Sequence, residues 1–342
     1  MKAALLHGPA DLRVVDIDTP DPEPDEVIVR VVCYAPYGTD LGAYKNEGGR
    51  YLKDYPVGIG ADFSGVVERS GSAVNGFKAG DRVSALAMAH CGHCRNCRAG
   101  RTNLCLDDSF LLADRQVACQ THTRVLARKL AKLPDGVSFE DGAMLGGIVD
   151  ALNAFDMMKP KVGETIAVLG VGAMGWGAVA TAKAAGLTVI AVGGRGHRSQ
   201  LARAVGADHL VPIQAHGEDV SAQVLALAPG GVDLAMETSA TDWGVEHCFK
   251  CAGPGGRIAI TGSPGQLPVS GWDLVRRELA VYGVRAGHHQ NLALKLIADG
   301  KIDLKPSVTH RMPLEDASEA FKLLTGPEAK DVGRIILNIS EP

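Results

Sequence analysis

Residues Thr165 to Lys183 read T-I-A-V-L-G-V-G-A-M-G-W-G-A-V-A-T-A-K: a buried strand, a glycine turn and the opening of a helix. Ile166 to Leu169 is a short apolar run of the kind that a strand covered on both faces needs. Gly170, Gly172 and Gly175 follow at G-x-G-x-x-G spacing, and each glycine has its own reason. Gly170 permits the tight turn, Gly172 lets the backbone approach a pyrophosphate, and Gly175 lets the helix lie close on the strand. The helix opens at Ala173 and Met174, so its unpaired N–H groups and positive dipole end face the phosphates. Ala178 to Ala185 is a good helix and Leu187 to Val192 a second β-rich run. The glycines therefore stand in a β-α-β unit, and dinucleotide binding is the function expected of it.

Outward toward the C-terminus the alternation continues. Helices are expected around Ser199 to Val205, Val220 to Ala228 and Thr241 to Cys251. Strands are expected at His209 to Val211, Val232 to Met236, Arg257 to Ile260 and Leu279 to Val284. Six strands joined by helical crossovers describe a doubly wound parallel sheet, assigned to residues 151–287. Beyond His288 come a helix from Leu292 to Asp299, a second from Leu314 to Leu324, and a strand from Arg334 to Ile339. This segment, 288–342, is expected to return to the first domain, leaving a ligand cleft between two domains.

Outward toward the N-terminus the texture is all-β. Ala3 to Leu6, Leu12 to Val15, Val27 to Cys33, Phe63 to Glu68 and Arg82 to Ala85 are short β-rich runs punctuated by turn residues, which predicts a barrel-like domain over residues 1–150. Leu133-Pro134-Asp135-Gly136 is a turn, after which Ser138 caps a helix with Asp141 three residues on. The 342 residues suffice for two domains. A net charge of −4 carries no nucleic-acid footprint. No apolar run reaches transmembrane length, and Met1 to Leu6 is followed at once by Gly8, Pro9 and Asp11, unlike a signal peptide. A cytoplasmic protein is expected, without membrane partners.

Cys91, Cys94, Cys97 and Cys105 stand at C-x2-C-x2-C-x7-C among the eight cysteines. Four thiolates complete the tetrahedral shell of zinc and leave no open position, so one structural Zn2+ per subunit is expected to fasten this loop, about 90–106. His90 and His93 lie within the stretch but are not needed as ligands.

The glycine turn together with this cysteine lobe resembles the medium-chain dehydrogenase/reductase superfamily, the zinc-containing alcohol and polyol dehydrogenases. The resemblance covers nearly the whole chain. It includes the M-K-A-A opening, G-T-D at Gly38 to Asp40, A-G-D-R-V at Ala79 to Val83 and K-L-P-D-G at Lys132 to Gly136. G-G-R-I at Gly255 to Ile258 and D-V-G-R-I-I-L at Asp331 to Leu337 match too. It implies a GroES-like β-barrel catalytic domain plus a Rossmann domain, assembled as a homodimer or homotetramer. It also implies that Arg334 touches the pyrophosphate. Where members with catalytic zinc read C-G-T-D this chain has Tyr37-Gly38-Thr39-Asp40, and where they read G-H-E it has Gly60-Ala61-Asp62. The third ligand position falls at about Gly146, and the histidine that often follows the first motif is Gly42. Alanine and glycine offer no ligand atom and tyrosine is an uncommon one, so structural zinc without catalytic zinc is expected. Asp62, Cys33, Cys119 and His122 could furnish a substitute set.

After the second strand an NAD enzyme wants an acid for the ribose diol, and this chain has Gly193-Gly194-Arg195-Gly196-His197-Arg198. Without the acid, Arg195 and Arg198 can pair with a 2′-phosphate, so the expected coenzyme is NADP(H). Hydride transfer without a metal leaves a developing oxyanion or enolate to hydrogen-bond donors and proton sources. Tyr37 and Thr39 are the first candidates, Asp62 and Asp150 the next, and Tyr37 could equally do no more than fill the vacated metal site. The favoured reading is an NADPH-dependent reductase of an activated C=C or a C=O in a small molecule. A conventional alcohol or polyol dehydrogenase with a relocated zinc comes second, and a non-catalytic NADP(H)-binding protein third.

Overall fold

Thr165–Leu169 is a strand whose last four residues are buried, and it sits at the centre of a six-stranded parallel sheet. The computed structural model describes residues 1–46, 54–86, 90–107, 118–194, 196–215, 217–262, 265 and 267–342. The chain divides into two compact units. One holds Met1–Leu145, Gln290–Ala298 and Val308–Pro342; the other holds Gly146–His289 and Asp299–Ser307.

The first unit carries β1 (Lys2–Gly8), β2 (Asp11–Asp16), β3 (Glu26–Tyr34), β4 (Val57–Gly58), β5 (Phe63–Ser70), β6 (Arg82–Ala85), β7 (His122–Leu126) and β8 (Leu130–Lys132). The second carries β9 (Thr165–Leu169), β10 (Thr188–Val192), β11 (His209–Val211), β12 (Val232–Glu237), β13 (Ala252–Ile260) and β14 (Ala280–Gly283). Two more, β15 (Val308–Pro313) and β16 (Arg334–Asn338), return to the first.

The second unit's sheet runs in the order β11-β10-β9-β12-β13-β14, with every pairing parallel. The order reverses beside β9, the switch point outside which doubly wound sheets bind ligands. Ala167, Leu169, Ile190, Val192 and Ile258 meet Val224, Val245 and Phe249 of the crossover helices in one core. On the other face, the helix Ala173–Ala184 crosses the helix Gly146–Met158. A Cβ on Gly177 would lie 2.5 Å from the Gly147 carbonyl carbon, so the two helices touch through glycine.

In the first unit β3 is buried along almost its whole length because it pairs with β5, β7 and β16. Val27, Val29 and Val31 pack with Phe63, Ile335, Leu337 and Phe321 in the barrel core. The three-stranded sheet β2-β1-β4 completes the unit.

Several elements differ from the sequence expectation. The helix Gly38–Lys45 forms in a glycine-containing stretch of poor intrinsic propensity, because the Asp40 carboxylate accepts the Tyr37 N–H at 2.7 Å and fixes the first turn. The first unit ends at Leu145 rather than at 150, because the continuous helix Gly146–Met158 packs within the second. Residues Asp299–Ser307 group with the second unit rather than with the C-terminal return. β7, β8 and β15 have mixed patterns that period-2 reading passes over. Ser138 caps the helix Phe139–Gly142 with Asp141 as expected. Among the described residues, no helix is long and apolar enough to cross a membrane.

Candidate functional site

The glycine turn is held from the side by the end of β12. Thr238 Oγ1 donates to the Gly170 carbonyl at 2.7 Å, and Gly170 has φ +107°. A Cβ on Gly175 would lie 1.8 Å from the Gly170 carbonyl oxygen, so the helix can reach its strand only with glycine there. Ala173 and Met174 form the first turn of that helix, with Gly172 as N-cap. Glu237, fully buried, was not foreseen. Its Oε1 accepts from the Ser239 N–H and hydroxyl, and its Oε2 from the Gly262 N–H at 3.2 Å, tying the two loops at the strand ends together. An acid closing an otherwise apolar run, L-A-M-E, is the signal that could have found it.

After β10 the backbone turns left-handed at Gly193 (φ +103°) and Gly194 (φ +75°). An aspartate at Gly193, the natural way to ask for NAD, would therefore be strained, so that substitution is not a clean test of coenzyme preference. Arg198 lies against the glycine turn: a Cβ on Gly172 would meet its Nη2 at 2.8 Å, and its guanidinium stands 5.4 Å from the Trp176 ring centroid. Burial lowers the Arg198 pKa, so an anion beside it relieves a desolvated charge. Arg195 lies outside the described residues.

In the first unit, Tyr37 is the N-cap of the helix Gly38–Lys45 and is 6 % exposed, while Thr39 in the first turn is exposed. The Arg334 guanidinium, on a residue 3 % exposed, sits over the Tyr37 ring at 4.5 Å from its centroid. Two residues assigned on sequence to different tasks are thus brought together. Asp62 is buried near Tyr34, whose pKa burial raises well above the usual value, helped by Asp40, Cys119 and Asp62. Burial pushes the Asp40 carboxyl up to about 6, against the Tyr37 N–H and the Tyr34 hydroxyl, which favour its charge.

Asp150 belongs to the other unit. Its Oδ1 accepts the Gly287 N–H at 2.7 Å, and burial pushes its carboxyl up to about 6. With Asn153, which donates to the Arg285 carbonyl at 3.0 Å, it pins residues 285–287 to the helix Gly146–Met158. That anchoring gives the buried acid a structural role.

The four cysteine sulfurs of the lobe all lie within 4.8 Å of one another. Cys91 and Cys97 Sγ are 3.9 Å apart, and Cys94 and Cys97 Sγ 3.4 Å. A tetrahedron of Zn–S bonds of about 2.3 Å places sulfurs roughly 3.8 Å apart, so the donor set fits zinc. The N–H groups of Cys97 and Leu106 pull the Cys94 thiol down to about 6, whereas burial pushes Cys97 up to about 12. A divalent cation would let all four ionise. His93 turns its Nδ1 to the Cys91 carbonyl, and the His90 carbonyl accepts from Arg128 Nε at 2.6 Å.

Residues 173–299 match the family described as zinc-binding dehydrogenase, and residues 23–135 match the alcohol dehydrogenase GroES-like domain. Sorbitol dehydrogenase of Bacillus subtilis (strain 168) is 30 % identical over 329 residues, covering 94 % of this chain and 93 % of its own. The chain is a medium-chain dehydrogenase/reductase of the alcohol dehydrogenase type. Among solved structures, 2R,3R-butanediol dehydrogenase from Bacillus subtilis superposes with a TM-score of 0.85 at 27 % identity over 99 % of both chains. A Sinorhizobium meliloti 1021 protein bound to NADP does so with 0.85 at 27 % over 98 % of both. The GroES-like and Rossmann architecture of this superfamily agrees with the barrel unit and the six-stranded sheet, and the chain is an oxidoreductase of this type.

For a medium-chain dehydrogenase, the substitute ligands named above do not form a converging set of three or more among the described residues. Cys33 faces Asn338 Oδ1 at 3.7 Å, Cys119 is fully buried, and His122 Nε2 meets Glu68 Oε2 at 3.3 Å. The lobe's Cys91, Cys94, Cys97 and Cys105 form the one converging set of three or more such ligands among the described residues.

Proposed function

We propose that this oxidoreductase reduces an activated C=C or a C=O of a small molecule with NADPH, without a catalytic zinc. The observation that carries the reading is the guanidinium of Arg334 over Tyr37. The position that carries a zinc ligand in the family thus holds a buried aromatic ring packed on a cation, and like charge disfavours a metal ion beside it. The other two ligand positions, Ala61 and Gly146, contribute no donor atom. Bound NADPH supplies the hydride.

The preference for NADP(H) is supported by Arg198 at the glycine turn and by a β10 loop whose left-handed glycines exclude the ribose-binding acid. The NADP-bound neighbour agrees with it. Charge developing on the acceptor falls to hydrogen-bond donors; Thr39, exposed on the first turn of its helix, is the open hydroxyl of the group. Four reduced thiols suit a reducing compartment, the cytoplasm, and none of the eight cysteines forms a disulfide.

The test is an NADPH-oxidation screen over enones, quinones and carbonyls, run on protein of measured metal content. The expected result is about one zinc per subunit, held by the four cysteines, and turnover with NADPH. A second reading, polyol or alcohol oxidation with a relocated zinc, is favoured by the sorbitol and butanediol dehydrogenase relatives. Two zincs per subunit and chelator-sensitive alcohol oxidation would establish it instead. Binding of NADPH with no turnover on the whole panel would leave a non-catalytic binding protein.

A further inference from the structure

The helix Asp242–Cys251, between β12 and β13, turns one face toward the segment that follows β11. Trp243, His247 and Lys250 stand at i, i+4 and i+7, which sets them in one row along the helix. The row grips two successive residues. Trp243 Nε1 donates to the Glu218 carbonyl at 2.7 Å, Lys250 Nζ donates to Asp219 Oδ2 at 2.7 Å, and His247 Nε2 faces Asp219 Oδ1 at 3.4 Å. The gripped residues are braced in turn. Glu218 Oε2 accepts the Gln214 N–H at 2.6 Å, and Asp219 Oδ1 accepts from the Ser221 N–H and hydroxyl. The indole is therefore fixed at its nitrogen, and it also lies on the His247 ring, with centroids 4.4 Å apart and planes at 28°.

This held ring stands beside the end of β10. A Cβ on Gly193 would meet Trp243 Cζ3 at 3.9 Å and the Gly170 nitrogen at 3.7 Å. Gly193 follows the second strand of the β-α-β unit, where a dinucleotide fold binds the adenosine ribose, and Gly170 opens the phosphate-binding turn. The place taken by the ribose-binding acid in other dinucleotide folds is thus bordered here by the glycine turn and by the six-membered ring of an indole. Coenzyme sites are lined mainly by apolar and aromatic groups, and an aromatic ring offers contact area to a sugar and its base with few torsions to freeze. We propose that Trp243 is a coenzyme-binding residue: its six-membered ring forms the wall of the subsite for the adenosine half. Glu218 and Asp219, gripped from the same helix, keep that wall in place. The residues named for it all belong to the second unit. The proposal rests on the reading of the chain as a dinucleotide-dependent oxidoreductase. It does not depend on which dinucleotide is preferred, because both carry adenosine.

The experiment uses fragments with the adenosine half and no nicotinamide, 2′,5′-ADP and ADP, on the full chain. Dissociation constants are measured by calorimetry, and contact is read separately by nuclear magnetic resonance. In protein deuterated everywhere but at tryptophan, saturating the indole protons should transfer magnetisation to the ribose and adenine protons of the fragment. The transfer should fall to background in Trp243→Phe, which leaves Trp176 and Trp272 in place, while affinity stays within a few-fold of the parent. Trp243→Ala should weaken the fragments and NADPH by the same factor, roughly tenfold, the scale of a base against an aromatic ring. A ring with only a packing role would give no transfer of its own.

The proposal is overturned if the transfer is undiminished in Trp243→Phe, or if Trp243→Ala binds both fragments as the parent does. It is equally overturned if the alanine variant loses affinity for NADPH alone. Should that variant not fold, the comparison of the parent with Trp243→Phe decides by itself. If neither fragment binds the parent, the dinucleotide reading fails and the wall with it. If ADP binds more tightly than 2′,5′-ADP, only the NADP preference falls, and the same variants are judged with ADP.

Discussion

At Gly193 and Gly194 the chain adopts a backbone that an L-residue resists, and this explains in conformational terms why no acid stands where a ribose diol would want one. Discrimination then falls to cations, and Arg198 is the described one at the turn. Arg198→Ala should raise KM for NADPH by roughly ten- to a hundredfold, the value of a charged hydrogen bond, while changing KM for NADH by much less. Steady-state kinetics with both coenzymes checks this, and an equal effect on the two would assign Arg198 to the shared diphosphate. Asp40 makes a separate prediction about pH. Its folded carboxyl titrates near 6 because it is buried, against about 4 in an unfolded chain. A raised carboxyl contributes stability that is complete below pH 4 and is lost as pH rises through 6, here up to roughly 3 kcal/mol. Asp40→Asn should flatten that slope between pH 4 and 6 in denaturant titrations, and an unchanged slope would assign it to other groups.

Among the elements, the cysteine lobe has the least core of its own. It consists of the four-residue helix Arg95–Arg98, a single 3-10 turn at Thr102–Leu104, and the four cysteines that pack on one another. Such a piece depends on its metal for order. Cys97→Ser should take the zinc content from about one per subunit to near zero and lower the melting temperature by several degrees, read by elemental analysis and calorimetry. A variant that keeps its zinc would show that the remaining three thiolates suffice. This lobe was legible because ligand chemistry fixes spacing within a short stretch. The β-α-β turn was legible for the same kind of reason, with Gly175 answering to one carbonyl in the preceding turn. What escaped were contacts between distant segments. Glu237 reaching Gly262, Asp150 holding Gly287 and Tyr37 under Arg334 each need a strand order or register that periodicity does not encode. The helix Gly38–Lys45 escaped because one buried carboxylate, not propensity, starts it.

For the whole molecule, alternation of strands and helices was enough to name a doubly wound sheet, but it says nothing about the sheet's ends. β14 pairs only with β13 among the described residues, and its four residues are incompletely buried. Beside it in sequence, the helix Gly271–Arg277 buries none of its residues and presents Trp272 at 70 % and Val275 at 71 % exposure. An edge strand unpaired on one side among the described residues, preceded in sequence by a helix with two large exposed apolar side chains, is a combination that monomeric proteins avoid, because such surfaces recruit another chain. A second copy of the same chain satisfies both features at once: an edge can pair antiparallel with itself about a two-fold axis, and the same patch is then buried twice. We propose that the oligomer implied by the family resemblance forms through this end of the sheet. Light scattering after size exclusion should give at least twice the 35.8 kDa of one chain, and Trp272→Glu with Val275→Glu should reduce it to a single chain. A parent that elutes as one chain at micromolar concentration would refute self-association. A double variant that keeps the larger mass would move the interface elsewhere.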